Sequence, residues 1–179
     1  MEATCWQDDI WEDREIIEIG AVKISNGEII DRFDIFVKPV KNPKLSEYCL
    51  ELTHIRQCDV DTAISQKDAV EQFYLWATNN FKENPIYLSW GTFDKIKLAE
   101  TINTYRINRR FFKQTKNHYN MKKIYANMLH LPKQISMTAA LEREKIQLSG
   151  MQHRAINDVE NLHKIFKIRK NKILKNLKM

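Results

Sequence analysis

Asn26-Gly27 stands between two runs dense in β-branched and aliphatic residues, and no other short stretch constrains the fold as much. Both turn residues accept positive φ, which a two-residue hairpin requires. Glu15-Ile-Ile-Glu-Ile-Gly-Ala-Val-Lys-Ile24 therefore reads as one strand, and Ile29–Lys38 as its antiparallel partner, stopped by Pro39. Gly20, inside the first strand, reads as a close backbone approach, a bulge or equally a packing position.

The hairpin needs a cover, and the rest of the chain is mostly helical in pattern. Leu45–Leu52 reads as a short helix. A longer one runs from about Gln66 to Phe81, with Val70, Phe73, Tyr74 and Ala77 on one stripe. After Pro85, Ile86-Tyr-Leu-Ser-Trp90 reads as a buried parallel strand, and Gly91-Thr92 leads into a helix over Phe93–Tyr105. Met121–Leu131 is helical, with Met121, Ile124, Tyr125 and Met128 inward and Pro132 ending it. Ser136 caps a short helix through Glu144, and a last helix spans Ala155–Leu174 with Val159, Leu162 and Phe166 buried. A hairpin followed by helices alternating with one more strand indicates an α/β fold, a mixed sheet flanked by helices. Three strands are thin cover for so many apolar helices. A strand is missing from the count, and the N-terminus is where it belongs.

The 179 residues suit a single domain, residues 1–179, without repeat or linker. No apolar run approaches the roughly eighteen residues of a membrane span. The N-terminus shows no basic region followed by a long apolar stretch, so no signal peptide is expected. Cys5, Cys49 and Cys58 lack a metal-ligand spacing, which suits reduced thiols and a cytoplasmic protein. Net charge is +6 with a pI near 9.2, which favours an anionic partner, nucleic acid first. The basic runs are Arg106–Lys116 and Lys164–Lys178, the latter ending in a basic helix terminus over 169–179. Both could equally be solvated helix faces.

His153 and Asp158 carry the chemistry. A continuous helix would set residues five apart about 500° round the axis, roughly 140° off a common face. They converge only if His153 lies in a loop and Asp158 in the first helical turns. An acid that holds a cation beside an imidazole that takes a proton from water suits metal-assisted hydrolysis. The same pair would also suit a surface or capping role. Glu2, Asp94 and Asp158 stand at strand ends or helix starts, where ligands bind in open α/β sheets. Grouped carboxylates there suit a hard cation such as Mg²⁺ or Mn²⁺.

Four segments in order extend this reading: Glu2-Ala-Thr-Cys-Trp6, Glu15-Ile-Ile-Glu-Ile-Gly-Ala-Val22, Ser89-Trp-Gly-Thr-Phe-Asp94 and His153-Arg-Ala-Ile-Asn-Asp158. Together they resemble the motifs of DEDDh 3′–5′ exonucleases, over about residues 1–168. Leu52-Thr-His-Ile-Arg-Gln57 is similar to a stretch of the Eri1-like subgroup, which also holds bacterial inhibitors of a sporulation kinase pathway. The resemblance implies a ribonuclease H-like sheet and hydrolysis of single-stranded RNA or DNA from the 3′ end with two Mg²⁺ or Mn²⁺ ions, RNA slightly favoured. It implies Glu2 and Asp158 as ligands of one ion, Asp94 as the second carboxylate position and His153 as general base. Ala3, Thr4 and Trp90 would lie along the terminal nucleotide. Glu15 and Glu18 stay unassigned, and His163 reads as helix packing. Oligomeric state is unreadable.

The resemblance also exposes a departure. The family's first motif is Asp-x-Glu, and here Met1 holds the x position. The strand that should carry the Asp is central, between the hairpin and Ile86–Trp90. Losing it leaves backbone groups unmet at roughly 1–3 kcal/mol each, against a total stability of about 5–15 kcal/mol. A late start site or a fragment is the favoured explanation over a natural dead enzyme. On that expectation the chain as written acts weakly or not at all, and one extended by about ten residues ending in Asp-Phe or similar cleaves fully. The competing class is a catalytically impaired nucleic-acid-binding or regulatory protein of the sporulation-inhibitor kind.

Overall fold

Strand β1 (Glu2–Ala3) runs antiparallel to β2 (Ile16–Ser25), with Glu2 opposite Glu18, and β2 pairs in turn with β3 (Glu28–Phe36). The computed structural model describes residues 1–8, 14–79, 85–108 and 117–177. Asn26 and Gly27 take φ of 54° and 97°, so the hairpin turn is the one the Asn-Gly pair dictates. The ladder of the long strands reaches Phe36, and Val37, whose N–H still donates to Ile17 O at 2.9 Å, also bridges to Ile64.

Helices α1 (Glu47–Thr53), α2 (Gln57–Asp61) and α3 (Gln66–Thr78) come next. Ser46 and Ser65 cap α1 and α3 through their hydroxyls. Helix α2 was not expected. Half of a capping box forms it: the Asp59 carboxylate accepts the Arg56 N–H at 3.0 Å, and the Asp59 N–H donates to the Arg56 carbonyl. Phe81 lies outside the described residues, so the end expected for α3 there is not described; the described helix stops at Thr78.

Strand β4 (Tyr87–Ser89) precedes α4 (Phe93–Thr104) and pairs in parallel with β5 (His118–Asn120), a strand that polar sequence concealed. Helices α5 (Met121–Met128), α6 (Met137–Arg143) and α7 (Ala155–Leu177) complete the order. Ser136 caps α6 as expected, its Oγ accepting the Ala139 N–H at 3.1 Å. Among the described residues the ladders form two groups, β1-β2-β3 and β4-β5, with none joining β1 to β4. The expected mixed α/β architecture is present, and its parallel and antiparallel parts are separate.

Packing obeys the apolar stripes. Ile16 and Ile19 of β2 meet Val70, Phe73 and Tyr74 of α3 and Leu98 and Ile102 of α4. Met121, Tyr125, Leu141, Leu162, Ile165 and Phe166 unite α5, α6 and α7. Val159, expected in that stripe, instead lines a cavity at the start of α7. His163 is buried, and its Nε2 lies 2.8 Å from the Gly27 carbonyl, which ties α7 to the hairpin turn. Gly20 marks a close approach between layers. A Cβ there would sit 2.4 Å from the backbone of Ala155 and Ile156, so its absence lets the start of α7 rest on β2. No helix among the described residues is long and apolar enough to cross a membrane.

Candidate active site

The end of β1, the loop before α7 and the first turns of α4 and α7 meet around one cavity of about 620 Å³. Glu2, Asp94, Asp158 and His153 all line it. His153 takes φ of 58°, a left-handed turn residue just outside the helix, and Asp158 lies in the first turns of α7. This is the loop-and-helix arrangement that the five-residue spacing demanded. The His153 backbone amide faces the Asp158 carboxylate and favours its charged form against burial.

Ligand atoms of Glu2, His153 and Asp158 lie within 4.8 Å of one another. Two acids that close resist ionising together. Burial first, and then the charges of Asp158, Glu18 and Asp94, push Glu2 up to about 7, against a partial pull from the Met1 ammonium. Burial likewise raises Asp158, with His153 opposing. Half-buried oxygen donors that repel one another form a set that a hard divalent cation relieves, so these residues fit such an ion.

Asp94 stands in the same cavity but has a different partner. Its Oδ1 accepts from the Met1 ammonium at 2.9 Å. Burial pushes Asp94 upward, yet that ammonium outweighs it and holds the carboxyl below the usual range. In the same contact the buried ammonium, which burial alone would lower, rises to about 10. Asp94 is therefore no surface acid.

Of the residues expected along a nucleotide, Ala3 and Trp90 line the cavity. Trp90 is held from behind: its Nε1 donates to Ile135 O at 3.3 Å and its ring lies 5.6 Å from that of Tyr125. Thr4 is not among the lining residues. It is buried, and its Oγ1 accepts the Glu15 N–H at 2.9 Å, a fastening between β1 and β2. Glu15 accepts three backbone N–H groups, from Val40, Lys41 and Asn42, and so anchors a loop.

Several residues at the site carried no sequence signal. His118 lines the cavity from β5, its Nε2 2.7 Å from Ser89 Oγ; burial lowers it while Asp94 opposes. Glu18 and Arg154 meet behind the cavity, across 136 positions of sequence. Asn161 is nearer in sequence. Its Oδ1 accepts the Ser149 N–H at 3.1 Å and its Nδ2 donates to Ser149 O at 2.9 Å, fixing the loop that carries His153.

The RNase T family profile, described as Exonuclease, matches residues 1–166. The chain belongs to this exonuclease family. Within the family it is 28% identical over 197 residues to ERI1 exoribonuclease 2 of Xenopus laevis, covering 92% of this chain and 27% of the relative. It is 29% identical to the 3′-5′ exonuclease Snipper of Drosophila melanogaster, covering 90% of this chain and 64% of that protein. Among solved structures, the nuclease domain of 3′hExo, a DEDDh family member bound to rAMP, superposes with a TM-score of 0.86. Identity there is 28%, over 95% of this chain and 88% of that one. The fold of this family member is thus the ribonuclease H-like one of DEDDh exonucleases, in the Eri1-like subgroup. The chain spans about a quarter of the Xenopus relative's length.

Proposed function

We propose that this chain is a 3′–5′ exonuclease domain that hydrolyses single-stranded nucleic acid, RNA in preference to DNA, with divalent cations. One observation carries the reading: Glu2, Asp158 and His153 converge within 4.8 Å in a cavity that also holds Asp94. Bound Mg²⁺ or Mn²⁺ would supply charge stabilisation for the oxygen of the attacking water and for the 3′ oxygen that leaves. Glu2 and Asp158 would hold one ion, with Asp94 at the second carboxylate position.

The protein's own groups then perform distinct tasks. His153, exposed at the cavity mouth, accepts a proton from the attacking water at an imidazole nitrogen. Trp90 and Ala3 form the wall against which the terminal nucleotide packs, with Trp90 fixed by Ile135 and Tyr125. The family resemblance and the rAMP held by the 3′hExo domain support RNA as the preferred substrate. The chain supplies one exonuclease domain, incomplete at its N-terminal side, with a basic stretch late in α7, and acts in the cytoplasm. Thr4 supports the nucleotide wall through the backbone rather than by touching the substrate.

A digestion series of 5′-labelled RNA and DNA oligonucleotides, with Mg²⁺, Mn²⁺ or chelator, tests this reading. Stepwise shortening from the 3′ end, faster on RNA and stopped by chelator, is expected. Shortening that persists in chelator would overturn it.

A further inference from the structure

Glu18 is fully buried on β2 and makes no contact that the proposed chemistry requires. Its two carboxylate oxygens are nevertheless fully used. Oε1 accepts from Arg154 Nε at 3.0 Å and Nη2 at 2.9 Å, and Oε2 accepts the backbone N–H of Ala155 at 2.7 Å. Ala155 is the first residue of α7, so a carboxylate from a distant strand supplies the anion that a helix N-terminus favours. The Arg154 guanidinium is held from its other side by Phe36, whose ring centroid lies 5.2 Å away and whose backbone pairs with Glu18.

This knot sits between the proposed reacting groups. His153 immediately precedes Arg154. The Asp158 N–H bonds the Arg154 carbonyl at 3.0 Å, closing the first turn of α7. Glu2 is the direct cross-strand partner of Glu18 in the β1–β2 ladder. One side chain therefore ties the strand behind Glu2 to the turn between His153 and Asp158. Gly20, two residues along the same face of β2, lets the backbone of α7 close onto the strand there.

We propose that Glu18, acting through Arg154 and the Ala155 amide, is the positioning residue that holds His153 and Asp158 in register with Glu2. The proposal rests on the nuclease reading for its catalytic consequence. A buried ion pair with a purely structural role would change stability and leave the site's affinities alone. A positioning role moves the rate and the cation affinity while sparing substrate affinity, because Trp90 and Ala3 are untouched.

The test uses the full chain with Glu18→Gln and Arg154→Lys. Three properties are read: single-turnover rate and half-saturation on single-stranded RNA, Mn²⁺ affinity by calorimetry, and amide exchange at Ala155. Glu18→Gln is expected to slow the saturated rate and weaken Mn²⁺ binding by about 10–100-fold each, the usual loss for a partner of a metal ligand. Half-saturation should change by less than about threefold, and Ala155 should exchange faster. Arg154→Lys keeps a cation and the Ala155 bond but loses the two-point contact to Oε1, and should show a smaller, moderate loss of both. Unchanged Mn²⁺ affinity and rate in a folded Glu18→Gln chain would overturn the proposal. Should Glu18→Gln unfold, Arg154→Lys decides: a moderate rate loss at constant half-saturation supports it, and wild-type behaviour overturns it. If the chain cleaves nothing even when preceded by an apolar strand ending in Asp, the nuclease reading fails, whereas the Mn²⁺ and exchange measurements still judge Glu18.

Discussion

Glu2 is held at about 7 by burial and by its acidic neighbours, well above the ordinary glutamate value. This fixes the sign of its effect on stability. Between those two values the folded chain binds the proton more tightly than the unfolded chain, so folding is favoured at low pH. That contribution is complete below the ordinary glutamate value and is lost as pH rises through about 7. In urea unfolding with chelator, the wild type is expected to lose more stability between pH 5 and pH 8 than Glu2→Gln does. Identical slopes would show that Glu2 is not strained by its neighbours. At this scale the spacing of His153 and Asp158 was legible, because helix geometry leaves a five-residue pair only one way to converge. Thr4 was expected against the nucleotide, yet its hydroxyl is taken by Glu15. Glu18 stayed unassigned since its partners Arg154 and Ala155 lie far along the chain, and nothing local marks such a bond.

Among the elements, the hairpin and the long amphipathic helices were readable because turn chemistry and periodicity are local. Strand β5 was not. His118-Tyr-Asn120 has no strand-like composition, and its conformation comes from parallel pairing with β4. Helix α2 did carry a signal, an acid three residues beyond Arg56. Gly20 was read as a close approach, a bulge or a packing position, and the approach of α7 is what β2 shows. In Gly20→Ala the added methyl must displace the Ala155 backbone, and overpacking of this kind costs about 1–3 kcal/mol. A lower denaturation midpoint with a slower nuclease rate is expected. A chain as stable and as fast as the wild type would mean that β2 and α7 do not pack this closely.

For the molecule as a whole, the basic charge is less free than its sum suggests. Lys167 pairs with Glu28, Arg169 with Glu144 and Arg154 with Glu18. Much of the Arg106–Lys116 run lies outside the described residues. Lys172 and Lys175 are exposed near the end of α7, where the proposed function would have them meet a nucleic-acid backbone. Replacing both by Gln should reduce the slope of log affinity against log salt for single-stranded RNA by about 1.4, at roughly 0.7 per phosphate contact. An unchanged slope would send the strand across another face.

Three carboxylates and one imidazole, on the proposed reading, act together at the 3′ end of a strand. The most direct test is single-turnover shortening of 5′-labelled RNA in Mn²⁺, by a chain preceded by an apolar strand ending in Asp, with and without His153→Ala. We expect a ladder shrinking one nucleotide at a time, slowed by about 100-fold or more when the imidazole is removed. Equal rates for the two proteins, or fragments arising from internal cuts, would contradict the account.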